Sequence, residues 1–150
     1  MIFRAQKVNL PKILEAASPL YAESQHPFEL NGTVWLRAWA GMIESGTGIL
    51  FFDQTEDGEV TGAIGGAFFP SLNTGLLQAS ELVWYVTHKH RGRKIGWNLY
   101  RAFEQEARRR NAWFITSSHV ADNDSVETLR KFYAREGYRA MEIVYVKELK

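Results

Sequence analysis

The apolar residues of this chain change their spacing at Gly48, and that change limits the folds open to it. Before it, Val34, Leu36, Ala38, Trp39 and Met42 fall in one suggested helix, and Ile13, Leu14, Ala17, Leu20 and Tyr21 recur at helical spacing. That is the period of a helix with one buried face. Asn9 or Leu10 followed by Pro11 reads as the first helix start, since proline is tolerated in a first turn. The second helix runs from Thr33 to about Ile43 and stops before Gly46. After Gly48 short apolar runs take over: Ile49 to Phe52, Val60 to Phe69 and Leu76 to Thr87. Between them lie Glu56-Asp57-Gly58-Glu59 and Asn73-Thr74-Gly75, so they read as strands joined by turns. Ile2 to Val8 alternates apolar and polar residues, as an opening strand does.

The second half returns to helix and strand in alternation. Ile95, Leu99, Ala102, Phe103 and Ala107 form one face of a helix from about Lys94 to Arg110, and Trp113 to Val120 reads as a strand. Asp124 with Glu127 fits a capping box that opens a helix carrying Val126, Leu129, Phe132 and Tyr133. Gly137 ends it, and Met141 to Leu149 reads as a last strand. The order is strand, two helices, three strands, helix, strand, helix, strand, which predicts a mixed α/β or α+β fold around a central sheet.

A chain of 150 residues with no repeat or linker predicts one domain spanning 1–150. With 45% hydrophobic and 23% charged residues it is globular and not disordered. A net charge of +1 gives no overall pull on nucleic acid or acidic membrane, so any phosphate affinity must be local. The absence of cysteine removes disulfides, thiolate metal sites and a cysteine nucleophile, and fits a reducing cytoplasm. The first residues lack a signal-peptide core, and no stretch approaches the roughly 20 apolar residues that span a bilayer. The expectation is a soluble cytoplasmic protein.

The chemistry concentrates in Trp84-Tyr-Val-Thr-His-Lys-His-Arg-Gly-Arg-Lys-Ile-Gly96. A strand runs into a short turn bearing Lys89, Arg91, Arg93 and Lys94, and then into a helix with Gly92 and Gly96 at its start. Helix N-termini carry unpaired N–H groups and partial positive charge, glycine lets a phosphate approach the backbone, and Arg and Lys neutralise it. The segment reads as a phosphate cradle, or else as a basic loop before an ordinary helix.

This stretch resembles motif A of the GNAT acetyltransferases, Arg/Gln-x-x-Gly-x-Gly/Ala, at Arg91-Gly92-Arg93-Lys94-Ile95-Gly96. Lys94 stands where the family most often has glycine. Downstream, Leu129-Arg-Lys-Phe-Tyr-Ala-Arg-Glu-Gly137-Tyr138 resembles motif B, with Val126 where many members carry Asn. Asn123, one turn earlier, is the candidate for that contact or caps the helix. The element order is also the family's. The resemblance implies the acyl-CoA N-acyltransferase fold: a mostly antiparallel twisted sheet of six to seven strands, splayed in the middle and flanked by about four helices.

It further implies direct transfer of an acetyl group from acetyl-CoA to an amine. Acetyl-CoA would enter between the strand ending near Val86 and the strand from Trp113, its pantetheine arm pairing with exposed main chain. The N–H groups of Gly92, Arg93, Lys94, Ile95 and Gly96, with Arg91, would hold the pyrophosphate. A backbone N–H near Val86 would face the oxyanion. Tyr133 would protonate the leaving thiolate; a phenol titrates at about 10 and a thiol at about 8.5, close enough for the proton to move even though the transfer is slightly uphill.

The base candidate is Glu81, on the opposite face of its strand from Leu82, Trp84 and Val86 unless a bulge intervenes. A solvent-facing or salt-bridged carboxylate is the bland reading. His119 is a second candidate base. His88 and His90 have no visible third ligand and read as loop or phosphate-proximal residues, not a metal site, so no metal is expected. Phe28, Trp35, Trp39 and Trp84 line an acceptor pocket or fill the core. Gly62, Gly65 and Gly66 mark a bulge, a groove wall or close packing. Arg108, Arg109 and Arg110 read as a solvated helix end. An idle acyl-CoA-binding module and a nucleic-acid protein using Lys89 to Lys94 are the competing functions, the latter disfavoured by the near-neutral charge. The acceptor is not legible, and a homodimer is left open.

Overall fold

The computed structural model describes residues 1–23, 28–119 and 126–149. These fall into two compact units, Met1–Ser118 and His119–Lys150. The first holds strands β1 (Ile2–Arg4), β2 (Gly48–Gln54), β3 (Val60–Pro70), β4 (Leu77–Val86) and β5 (Phe114–Thr116). It also holds helices α1 (Leu10–Glu23), α2 (Gly32–Ser45) and α3 (Ile95–Arg109). The sheet order follows the sequence, β1-β2-β3-β4-β5, antiparallel throughout except for a parallel β4–β5 pair.

Each face of this sheet has its own apolar cover. Leu50, Phe52, Ala63 and Val83 pack with Leu10 and Ile13 of α1 and Trp35 and Trp39 of α2. On the other face Phe68 meets Phe103 of α3 at 6.1 Å between ring centres. Leu99 and Phe103 are almost fully buried, which accounts for the helical spacing of that segment. Asn31 caps α2 through its side chain, accepting from Val34 N–H at 3.1 Å, and Gly46 ends it as expected.

Of the three arginines at the end of α3, Arg108 and Arg109 are exposed, as at a solvated helix end, and only Arg110 is drawn in. Arg109 and Arg110 each ion-pair with Glu106 at 2.7 Å, and their hydrogen bonds hold its carboxyl down at about 2. Arg110 also lies 4.3 Å from the Phe68 ring centre and donates to Gly46 O at 2.7 Å, tying α3 to the end of α2.

Five strands are found among the described residues where six to seven are expected, and the differences have local causes. β1 ends at Arg4, not Val8, because Gln6 N–H donates to Asn9 Oδ1 at 2.8 Å and the chain turns into a short 3₁₀ segment at Lys7–Asn9. β5 stops at Thr116, short of Val120, where Ser117 and Ser118 turn to the Glu81 carboxyl. Residues 141–149 form no strand: their apolar pattern suits a pleated surface, but a strand needs a neighbour to bond its main chain. The second unit contains α4 (Val126–Arg135), which ends at Gly137 with Gly137 N–H donating to Ala134 O. Among the described residues no helix is long and apolar enough to cross a membrane.

Candidate active site

The β4–β5 ladder is only three residues long, from Gln78↔Phe114 to Ser80↔Thr116. Beyond Ser80, β4 runs on to Val86 with no strand paired to that edge among the described residues. Thr87 N–H donates to Thr61 O at 2.9 Å, so Thr87 and Tyr85 turn their main chain to β3. Trp84 and Val86, between and beside them, turn theirs to the open edge. Val86 O is met there by Arg91 Nε at 3.2 Å. β4 and β5 thus part beyond Ser80, and Val86 lies on the stretch of β4 past the ladder.

Glu81 is the first β4 residue past the ladder, and the fold turns it round. Gly65 pairs with Val83 and Gly66 with Glu81, leaving Leu82 as an extra residue. This bulge puts Glu81 on the same sheet face as Gly66, Trp84 and Val86, the face covered by α3. The glycines opposite leave room for it. A Cβ on Gly66 would stand 2.2 Å from Ser80 O and 2.8 Å from Phe103 Cζ, so that position accepts no side chain. The only sign of this bulge in the sequence is the pair of adjacent glycines in β3.

Glu81 is 8% exposed. Burial pushes its carboxyl up to about 7, against the opposing hydrogen bonds from the Ser118 main chain and the Ser117 side chain. Its Oε2 atom is buried without a hydrogen-bond partner among the described residues. A buried acceptor left unpaired costs free energy and calls for a reason, a catalytic role being one of them. A carboxyl poised near neutrality can take a proton from an amine at physiological pH.

The basic turn follows. His88–His90 forms a 3₁₀ turn, Gly92 takes φ +77° and Lys94 takes φ −59° before α3 begins. The left-handed step therefore falls on Gly92, where glycine is suited to it, and Lys94 occupies backbone that any residue adopts. Lysine in place of the motif glycine strains nothing here. The first α-type bond of the helix is Asn98 N–H to Lys94 O at 2.9 Å, and its first turn leaves main-chain donors without intrahelical acceptors. Gly96 packs this helix start on β4: a Cβ there would meet Val86 Cγ2 at 3.3 Å. The structure thus brings Val86, Arg91 and Gly96 together. Arg93 and Lys94 are exposed and form no ion pair among the described residues, while Arg91 reaches Glu23 at 3.3 Å. Ile95 N–H is taken by Arg93 O, but the remaining donors of the first helical turn, a glycine with open space around it and exposed cations fit a diphosphate.

In the second unit Tyr133 is half-buried in an aromatic cluster. Its ring lies 6.2 Å from His119, nearly parallel, and 5.2 Å from Tyr138. Tyr138 N–H donates to Tyr133 O at 2.9 Å, closing the end of α4. Asn123 and Asp124 lie outside the described residues. Trp35 and Trp39 belong to the core and not to an acceptor pocket, whereas Phe28 is exposed and Trp84 sits 5.9 Å from Tyr100. No three His, Cys, Asp or Glu side chains cluster as a metal ion requires among the described residues.

The family model of the GNAT acetyltransferases matches residues 11–138. The chain belongs to that family. Its members use acetyl-CoA, and acyl transfer is this enzyme's reaction class. The fold is similar to that of a predicted acetyltransferase from Clostridium acetobutylicum solved with acetyl-CoA, at TM-score 0.80 and 13% identity over 99% of this chain and 96% of that one. It is also similar to a Trypanosoma brucei acetyltransferase, at TM-score 0.74 and 19% identity over 99% of both chains. A ribosomal-protein-alanine N-acetyltransferase from Brucella melitensis matches at TM-score 0.67 and 18% identity, again over 99% of both. At these identities the likeness is one of fold. No curated protein matches the sequence.

Proposed function

We propose that this acetyltransferase moves an acetyl group from acetyl-CoA directly to a primary amine, within one catalytic domain spanning residues 1–150. The observation that carries the reading is the fork where β4 leaves β5, with the buried, half-satisfied Glu81 carboxyl at its apex. The donors of Gly92 to Gly96, with Arg91, Arg93 and Lys94, hold the diphosphate. The open edge at Trp84 and Val86 pairs with the pantetheine arm as an added strand would.

Glu81 accepts a proton from the incoming ammonium, directly or through one water. The neutral nitrogen attacks the thioester carbon and a C–N bond forms. The Val86 N–H stabilises the charge that develops on the carbonyl oxygen. The nitrogen gives its second proton to water, the C–S bond breaks, and Tyr133 gives its phenolic proton to the departing thiolate and recovers one from water. Asn123 is the further proposed contact to acetyl-CoA. A cytoplasmic setting agrees with the lack of cysteine.

The test is thiol release from acetyl-CoA across small amines, peptide N-termini, lysine side chains and aminoglycosides. Release with at least one class, together with an acetylated product, is expected. Tight binding of acetyl-CoA with release for none would leave the chain an idle acyl-CoA-binding module.

A further inference from the structure

The turn that carries Arg91 hides one side chain, a histidine. His90 is 8% exposed, while Lys89, Arg91, Gly92, Arg93 and Lys94 around it are open to solvent. Its Nδ1 lies 2.9 Å from Thr87 Oγ1. Thr87 Oγ1 in turn lies 3.1 Å from Thr61 O, which can only accept. A hydroxyl has one proton, and here it goes to Thr61. Thr87 Oγ1 must therefore accept from the ring, so Nδ1 carries its proton.

The same residues are joined through main chain. Thr87 N–H donates to Thr61 O and His90 N–H to Thr87 O, both at 2.9 Å. Thr61 is 2% exposed, and its hydroxyl donates to Asp53 Oδ2. A continuous set of bonds thus runs from β2 through β3 and the end of β4 to His90, immediately before Arg91.

We propose that His90, acting through Thr87, is a positioning residue for acetyl-CoA: it clamps the cofactor turn to β3 and so fixes where Arg91 and the Gly92–Gly96 amides stand against the open edge. The inference rests on the reading of this turn as the acetyl-CoA site. A turn built from glycine and long basic side chains must otherwise be ordered when the ligand binds, at a cost in affinity. Neither Thr87 nor His90 has a role at the thioester, so the clamp affects capture of acetyl-CoA and not the chemical step.

The experiment compares His90→Leu with His90→Asn, and Thr87→Val with Thr87→Ser. Asn places an N–H donor where Nδ1 stands, and Ser keeps the hydroxyl. Leu and Val remove these groups at similar size. For each folded variant, acetyl-CoA Kd is measured by calorimetry, with KM for both substrates and kcat. His90→Leu and Thr87→Val are expected to raise Kd and KM for acetyl-CoA about tenfold, the scale of one or two lost hydrogen bonds. The amine KM and kcat stay at the wild-type values, and His90→Asn and Thr87→Ser recover most of the affinity. Wild-type Kd in His90→Leu, an equal loss in His90→Asn, or a loss carried by kcat overturns the clamp. Should His90→Leu fail to fold, the Thr87 pair decides by the same criteria. Gly96→Glu is measured alongside. If it also leaves Kd unchanged, the turn is not the acetyl-CoA site; if it alone weakens binding, only the clamp falls.

Discussion

Replacing Glu81 by Gln separates the energetic burden of this carboxyl from its chemistry. Its ordinary value is 4.5 and burial raises it to about 7. In the unfolded chain it ionises from about pH 4.5 upward, and in the folded protein only from about 7. Between these values the folded state holds more protons, so stability falls as pH rises. Below 4.5 the group is neutral in both states and contributes no penalty; above 7 the full penalty is present. At about 1.4 kcal/mol for each tenfold change in proton affinity, the penalty is about 3 kcal/mol. For a chain of this length that corresponds to a Tm change of roughly 6–12 °C.

The stability of Glu81→Gln relative to wild type is therefore expected to increase by that amount from pH 4.5 to pH 8. Comparing the two pH profiles removes any pH-independent change in packing. Scanning calorimetry provides the Tm values and urea titration the free energies. Activity goes the other way. Wild-type kcat/KM rises as pH passes about 7, whereas the variant loses that limb and roughly 10²–10⁴ in rate, regained only as free amine accumulates at high pH. Parallel Tm–pH curves would refute the buried, raised carboxyl. A retained limb near 7 would refute Glu81 as the base.

Three further outcomes test separate parts of the structure. Tyr133→Phe keeps the ring cluster and removes one hydroxyl: kcat falls by roughly 10² or less and acetyl-CoA Kd holds, while unchanged kcat with chemistry rate-limiting makes Tyr133 a packing residue. Gly66→Ala drives a Cβ into Ser80 O and lowers stability by at least about 1–3 kcal/mol. Gly41→Ala, in α2 with nothing within 4 Å of the added Cβ, raises stability by about 0.4–1 kcal/mol, and both are read from urea midpoints.

Elements that depend on their own residues were legible in the sequence. α3 follows from the spacing of Leu99, Phe103 and Ala107, and α2 from its apolar residues, Trp39 among them, and the stop at Gly46, while the Asn31 cap emerges only in the structure. The basic turn between β4 and α3 was legible from Gly92 and the Lys and Arg residues just before the helix start. What depends on a partner was not. The orientation of Glu81 follows from pairing between β3 and β4, and no alternation rule within β4 alone places a bulge at Leu82. His90 read as a loop or phosphate-proximal residue because its bond to Thr87, and through Thr87 to Thr61, 29 positions earlier, depends on strand pairing. Residues 141–149 carry a strand's composition without a strand's pairing.

The direct test of acetyl transfer uses acetyl-CoA with a radiolabelled acetyl group and an amine that supports thiol release. Samples quenched through the first turnovers are separated into protein, amine and CoA fractions. The label is expected on the amine, one for each free thiol, with none covalently held by the protein at any time. Label retained on the protein as a covalent adduct, or thiol freed without acetylated amine, would contradict direct transfer from acetyl-CoA to the acceptor.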